Sequence, residues 1–231
     1  EIYTLSLHDA LPISSLGKLS CTLLITSIAV LLAASPVSAA EKVVERPGYS
    51  PAIAEIIADI NESRLEHTTF ILQSIPTRSF GTGGNRMAGQ YIYARLAGIP
   101  GLEVEFQGED FKNVIATLPG NSNVSDEIIM VGAHYDSTSY DLGQAPGATD
   151  NGCGVAIVLE IARVMSEHSF DRTVQFAFWN AEEDGCLGSK NYKDYAVRSS
   201  IPIRLYFNFD STCYDPDNRS VLDMMYDERS A

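Results

Sequence analysis

The chain alternates between stretches with helical spacing of apolar residues and short, nearly continuous apolar runs. Residues 51–75 place Ile53, Ile56, Ile57 and Ile60, then Leu65, Phe70 and Leu72, along one helical stripe, and Pro76 ends the stretch. Residues 79–85 (SFGTGGN) are Gly-rich, but no Gly-Lys-Ser/Thr comes after them, so they read as a turn before a helix over 85–97. That helix has Met87, Tyr91, Tyr93 and Leu96 as its apolar positions. Beyond it strands dominate. Residues 102–107 alternate and 113–118 form the next candidate strand, whereas 127–133 (EIIMVGA) form the continuous apolar run of a strand buried on both faces. Residues 151–168 read as a helix, 173–179 as a second buried strand, 189–197 as a helix and 203–209 (IRLYFNF) as a third buried strand. This alternation predicts an α/β domain: a mostly parallel (mixed) central sheet with helices on both faces.

The first forty residues change the domain picture. Residues 1–14 (EIYTLSLHDALPIS) have no pattern continuous with the rest of the chain and are expected to be a non-native leader. Residues 15–40 have the form of a secretory signal peptide: Lys18 as basic flank, an apolar run over 19–34 too short for a membrane span, then Ser35-Pro36 and the small residues Val37-Ser38-Ala39. Cys21 precedes that run, which argues against a lipoprotein anchor. The expected mature domain is 41–231, secreted or periplasmic. Cys153, Cys186 and Cys213 remain in it, an odd number without zinc-binding spacing, and each is expected to be structural.

The net charge is −14, and Lys and Arg are scattered, so nucleic acid and anionic membranes are not expected partners. Acidity alone means solubility. Position gives some carboxylates a sharper meaning. The 127–133 run ends in His134-Tyr135-Asp136, the 173–179 strand leads to Glu182-Glu183, and the 203–209 strand leads to Asp210. Three strands thus deliver metal-type ligands at their C-terminal ends, the edge where open α/β sheets bind ligands. Asp150 opens the helix after the first of these strands and reaches the same edge. His with carboxylates and no Cys suits a hydrolytic zinc centre with open positions. A pair of ions needs a bridging carboxylate, for which Asp150 is placed. Two adjacent Glu residues permit one to bind metal and the other to act as general base. Asp141, Asp171 and Asp184 read as solvated loop residues, His67 as an exposed helical position and His168 as a helix-end cation.

The segments VGAHYDS, APGATDNGCGVA, FWNAEEDGCLGSKNY and NFD, in this order, resemble the zinc exopeptidases of the secreted bacterial leucyl aminopeptidase type. That family also includes glutamate carboxypeptidase-type enzymes and glutaminyl cyclases. The resemblance covers roughly residues 50–215. It implies that His134 and Asp210 bind one zinc, that Asp150 bridges two, and that Glu183 binds the second. It also implies that Glu182 is the general base, that Asp136 orients the His134 imidazole, and that the Asp150–Asn151 peptide is cis.

The expected function is therefore metal-dependent release of N-terminal amino acids from peptides. A carboxypeptidase, a one-zinc glutaminyl cyclase-type enzyme and a non-catalytic binding module of the same fold are the alternatives. The family's second zinc takes a further His. None lies beyond Asp210 here, so the domain is expected to be incomplete at its C-terminus, with a weakened second site and low activity.

Overall fold

The computed structural model describes residues 50–215. The expected leader and signal peptide, and the acidic residues beyond 215, lie outside these. Two helices open the described chain, α1 (Pro51–Ala58) and α2 (Glu62–Gln73). The periodicity suggests one continuous stretch, but Asn61 interrupts it. Its side chain caps α2 by accepting from the Arg64 N–H at 3.2 Å, while its own N–H donates to Glu160 Oε1 at 2.9 Å. Helix α3 (Gly83–Ala97) starts at Thr82, whose hydroxyl accepts from the Asn85 N–H.

Strands β1 (Glu103–Gln107), β2 (Asn113–Leu118), β3 (Ile128–His134), β4 (Thr173–Trp179) and β5 (Ile203–Asn208) form one sheet in the order β1-β2-β4-β3-β5. Helix α4 (Cys153–Met165) links β3 to β4, and α5 (Leu187–Arg198) links β4 to β5. The β4–β3 and β3–β5 pairs are parallel; β2 is antiparallel to both β1 and β4. Four strands therefore run one way, and only β2 opposes them.

Helices cover both faces unequally. On one side α2, α3 and α4 bury the main core, including Leu72, Ile92, Leu96, Val158, Ile161 and Phe176. On the other, α5 packs Tyr192 and Ala196 against Ile115, Met130, Ala177 and Trp179. Two predicted apolar positions face outward: Met87 is 60% exposed and Phe70 61%. The buried stripe of α3 is Asn85, Ala88, Ile92 and Leu96, so Met87 falls off the face that spacing alone assigned it. The expectation of three buried strands holds for β3 and β4 but not for β5, whose residues alternate between half-buried and exposed. Among the described residues it pairs only with β3, at the edge of the sheet, and the dense core of α2 to α4 centres on the strands beside it.

Register sets up the site. His134 pairs with Trp179 and Gly132 with Asn208, so the chain leaves β3, β4 and β5 at the same edge. Among the described residues no helix is long and apolar enough to cross a membrane.

Candidate metal centre

His134 ends β3 and is almost wholly buried. Its Nε2 lies 3.0 Å from Asp150 Oδ1, 3.6 Å from Asp210 Oδ1 and 4.0 Å from Glu182 Oε2. Its Nδ1 faces Asp136 Oδ1 at 3.5 Å. Ligand atoms of His134, Asp150 and Asp210 all fall within 4.8 Å of one another, and so do those of His134, Glu182 and Glu183. All six residues singled out from sequence thus converge on one sheet edge. His67 is exposed on α2, and His168 lies in the turn after α4, as expected. Asp141, Asp171 and Asp184 are exposed.

Each ligand-bearing segment is held by backbone hydrogen bonds. Asp150 and Asn151 sit in a wide turn over Ala148–Gly152, joined by a cis peptide bond. The Asn151 amide donates to Phe209 O at 2.8 Å and accepts from Gly154 N at 3.1 Å, linking the Asp150 turn to the residue before Asp210. Phe209 N donates to Gly132 O, so Asp210 is fixed relative to β3. Gly147 starts the Asp150 turn at φ 48°; a Cβ there would lie 2.4 Å from Asp150 O.

Asp136 is fully buried, and its carboxylate reaches both halves of the site. Oδ1 accepts from Glu182 N and Oδ2 from Glu183 N, each at 3.1 Å, while Oδ1 also faces His134. Sequence reading gives it only the imidazole. Sequence reading also misses a buried amide network behind the two Glu residues. Asn180 exchanges hydrogen bonds with Asn85, donates to Phe111 O and accepts from Ala181 N. Asn113 accepts from Asn180 N and donates to Gly188 O. Asparagines next to strand ends are common, and only the fold brings these three together.

The electrostatics are those of an acidic cluster around one imidazole. Burial opposes the charging of His134, but Asp136, Asp150 and Asp210 together raise its pKa well above the ordinary value. Burial, then the charge of Asp150, pushes Glu183 up to about 8. Burial likewise raises Glu182. Burial also opposes ionisation of Asp210, but hydrogen bonding to and the charge of His134 hold its pKa below the usual carboxylate range. Protons thus occupy places where a cation would neutralise the same charges. The donor set fits a divalent ion. Asp150 Oδ1 and His134 Nδ1 are buried without a hydrogen-bond partner. With Nδ1–H turned toward Asp136, Nε2 presents a lone pair to two carboxylates, an arrangement that a metal ion between them satisfies.

Residues 113–231 match the model of peptidase family M28. Leucine aminopeptidase 1 of Chaetomium globosum is 27% identical over 164 residues, covering 63% of this chain and 40% of that protein. The LapB structure from Legionella pneumophila superposes with a TM-score of 0.66 at 23% identity, covering 74% of this chain and 49% of that one. The Fimbriiglobus ruber glutaminyl cyclase structure superposes with a TM-score of 0.56 at 20% identity, covering 65% and 61%. The chain spans less than half the length of the curated relatives it matches. The family match takes in β2 to β5 and every residue of the candidate centre, and on it the chain belongs to peptidase family M28.

Proposed function

We propose that the chain carries the catalytic centre of a secreted zinc aminopeptidase that releases N-terminal amino acids from peptides. The observation that supports this most is the juxtaposition at His134: an Asp150–His134–Asp210 ligand set on one side and the Glu182–Glu183 pair on the other. His134, Asp150 and Asp210 would hold one zinc, and Glu183 together with Asp150 would hold a second. When bound, zinc supplies Lewis acidity that activates water and polarises the scissile carbonyl.

The chain's own residues do the rest. Asp136 orients His134 and holds the backbone of both Glu residues. Glu182 is half-buried, and burial raises its pKa above the usual carboxylate range, which suits a group that takes and returns a proton. It accepts a proton from the attacking water as the carbon–oxygen bond forms. It then delivers that proton to the leaving amine nitrogen as the carbon–nitrogen bond breaks. The products are a free amino acid and a peptide one residue shorter. The signal-peptide pattern at 15–40 supports a secreted or periplasmic location for the domain, 41–231.

The test is Glu182→Gln in the full-length protein, assayed on a leucyl anilide with zinc content measured in parallel. Turnover should fall by about 100- to 10,000-fold with zinc retained. Unchanged turnover would overturn the assignment, and a non-catalytic module would show none in either form. The likeness to a glutaminyl cyclase fold favours one second reading, cyclisation of an N-terminal glutaminyl peptide with a single zinc. Activity on such a peptide and none on the leucyl anilide would select it.

A further inference from the structure

Arg78 lies just past the turn after α2 and is fully buried. Its guanidinium donates to four backbone carbonyls: Nε to Tyr135 O at 2.9 Å, Nη1 to Leu72 O at 3.1 Å and to Pro146 O, and Nη2 to Gly147 O at 2.9 Å. Tyr135 lies between His134 and Asp136, and Gly147 starts the turn that carries Asp150. The chain between them, residues 136–146, is an excursion whose two ends are gripped by one side chain. The surrounding bonds repeat the pattern. Arg78 N donates to Ser137 Oγ, which donates to Ala145 O, and Ser79 Oγ donates to Ser137 O.

Burying a cation whose hydrogen bonds go to carbonyls is costly, and the planar fork of arginine is what allows one side chain to meet several acceptors in fixed directions. Burial lowers the Arg78 pKa to about 10, so it stays charged at neutral pH. Asn85, which accepts from Asn180 on the Glu182 side of the site, also donates to Arg78 O. Arg78 therefore stands where the backbone supports of both ligand-bearing segments meet.

We propose that Arg78 is a positioning residue for the metal centre, setting the separation of His134 and Asp150 by clamping both ends of the loop between them. The inference rests on the reading that these two residues bind zinc. It concerns how they are held, and nothing in the ligand set itself requires it.

The experiment is zinc titration calorimetry on the full chain, with thermal unfolding in chelator run alongside. Arg78→Lys keeps the charge but loses the fork. It should remain folded and bind zinc about 10- to 100-fold more weakly, the range typical of groups that orient metal ligands. Leu96→Ala, in the core away from the site, serves as the control for stability alone: it should lower the unfolding temperature and leave zinc affinity unchanged. If R78K does not fold, Ser137→Ala decides, because it breaks the link from Arg78 N to Ala145 O with the cation in place. It should weaken zinc binding several-fold. Wild-type affinity in a folded R78K, or in S137A where R78K fails to fold, overturns the positioning role. Absence of zinc binding by the wild type overturns the metal reading itself, and this inference with it.

Discussion

The two sides of the site are built in contrasting ways. Asp150 and Asp210 are tied to each other and to β3 through Asn151, Phe209 and Gly132, all by backbone or buried amide bonds. Glu182 and Glu183 sit in a turn between β4 and α5 that runs through left-handed conformations at Ala181, Gly185 and Cys186. Their backbone N–H groups are held by Asp136, and their half-buried side chains bring carboxylate oxygens near His134. On the reading proposed above, the first side holds an ion still. On that reading the second pairs a metal ligand, Glu183, with a base, Glu182. Asp136 touches both, and its loss should disturb both.

The sharpest way to break this comparison is to remove one ligand from each side. His134→Ala or Asp150→Ala should weaken zinc binding by more than about 100-fold, beyond the effect usual for outer partners. Glu183→Gln should cost only about 10-fold, because the set on the other side stays intact. Calorimetry with zinc content by mass spectrometry measures both. A loss in E183Q as large as in D150A would show that the ion belongs to the Glu side. Asp136→Asn comes next. An amide can accept one of the two N–H bonds but turns a donor toward the other. Zinc affinity should fall about 10- to 100-fold, and the lost pairing of a buried N–H should cost about 1–3 kcal/mol of stability, read as a lower unfolding temperature.

Much of this architecture is legible before any coordinates. The continuous apolar runs of β3 and β4 show strands buried on both faces, and the acidic and His residues at strand ends point to one edge. What sequence could not show depends on tertiary neighbours. Periodicity puts Met87 on an apolar stripe, but the rotation of α3 is set by Ala88, Ile92 and Leu96 against the sheet. The apolar run of β5 matches those of β3 and β4, yet burial depends on neighbours on both sides. Arg78, in a short polar turn after Pro76, has the local sequence of an exposed residue; only the packing of residues 135–147 over it makes it a buried clamp. Asp136 is legible beside His134, but its bonds to Glu182 and Glu183 need β3 and β4 in register.

The stability of the metal-free protein should depend on pH through this cluster. Glu183 is raised to about 8 in the folded chain against 4.5 when unfolded, so the folded state binds the extra proton across that window. Stability from this group is greatest near pH 4.5 and is lost as pH rises toward 8. His134 adds in the same direction: its contribution is full below about 6.5 and declines as pH passes through its raised folded value. Asp210, with a lowered pKa, acts oppositely and only in acid, losing its contribution as pH falls below 3.8. The unfolding temperature in chelator should therefore drop between pH 5 and 8 beyond the general trend of the chain. Glu183→Gln should flatten part of that drop. Saturating zinc should replace it with a gain, since the ion binds the deprotonated groups. A slope unchanged in E183Q would mean that Glu183 is not protonated in the folded chain.

The smallest expected effect concerns how the base is aimed. The Cys186 thiol lies 3.4 Å from Glu182 Oε1, while Oε2 is the oxygen that faces His134 Nε2 at 4.0 Å. The thiol thus distinguishes the two oxygens, holding one and leaving the other toward His134. Thiol hydrogen bonds are weak, about 0.5–1 kcal/mol, so Cys186→Ala should lower turnover only about two- to five-fold. Cys186→Ser restores a donor at the same position and should recover part of the loss. Zinc affinity should stay constant in both, because neither change touches the Asp150–Asp210 side. If C186A instead lost zinc along with turnover, the two sides would be mechanically coupled through the turn at Glu182 and Glu183. The independence drawn from their separate backbone supports would then fail.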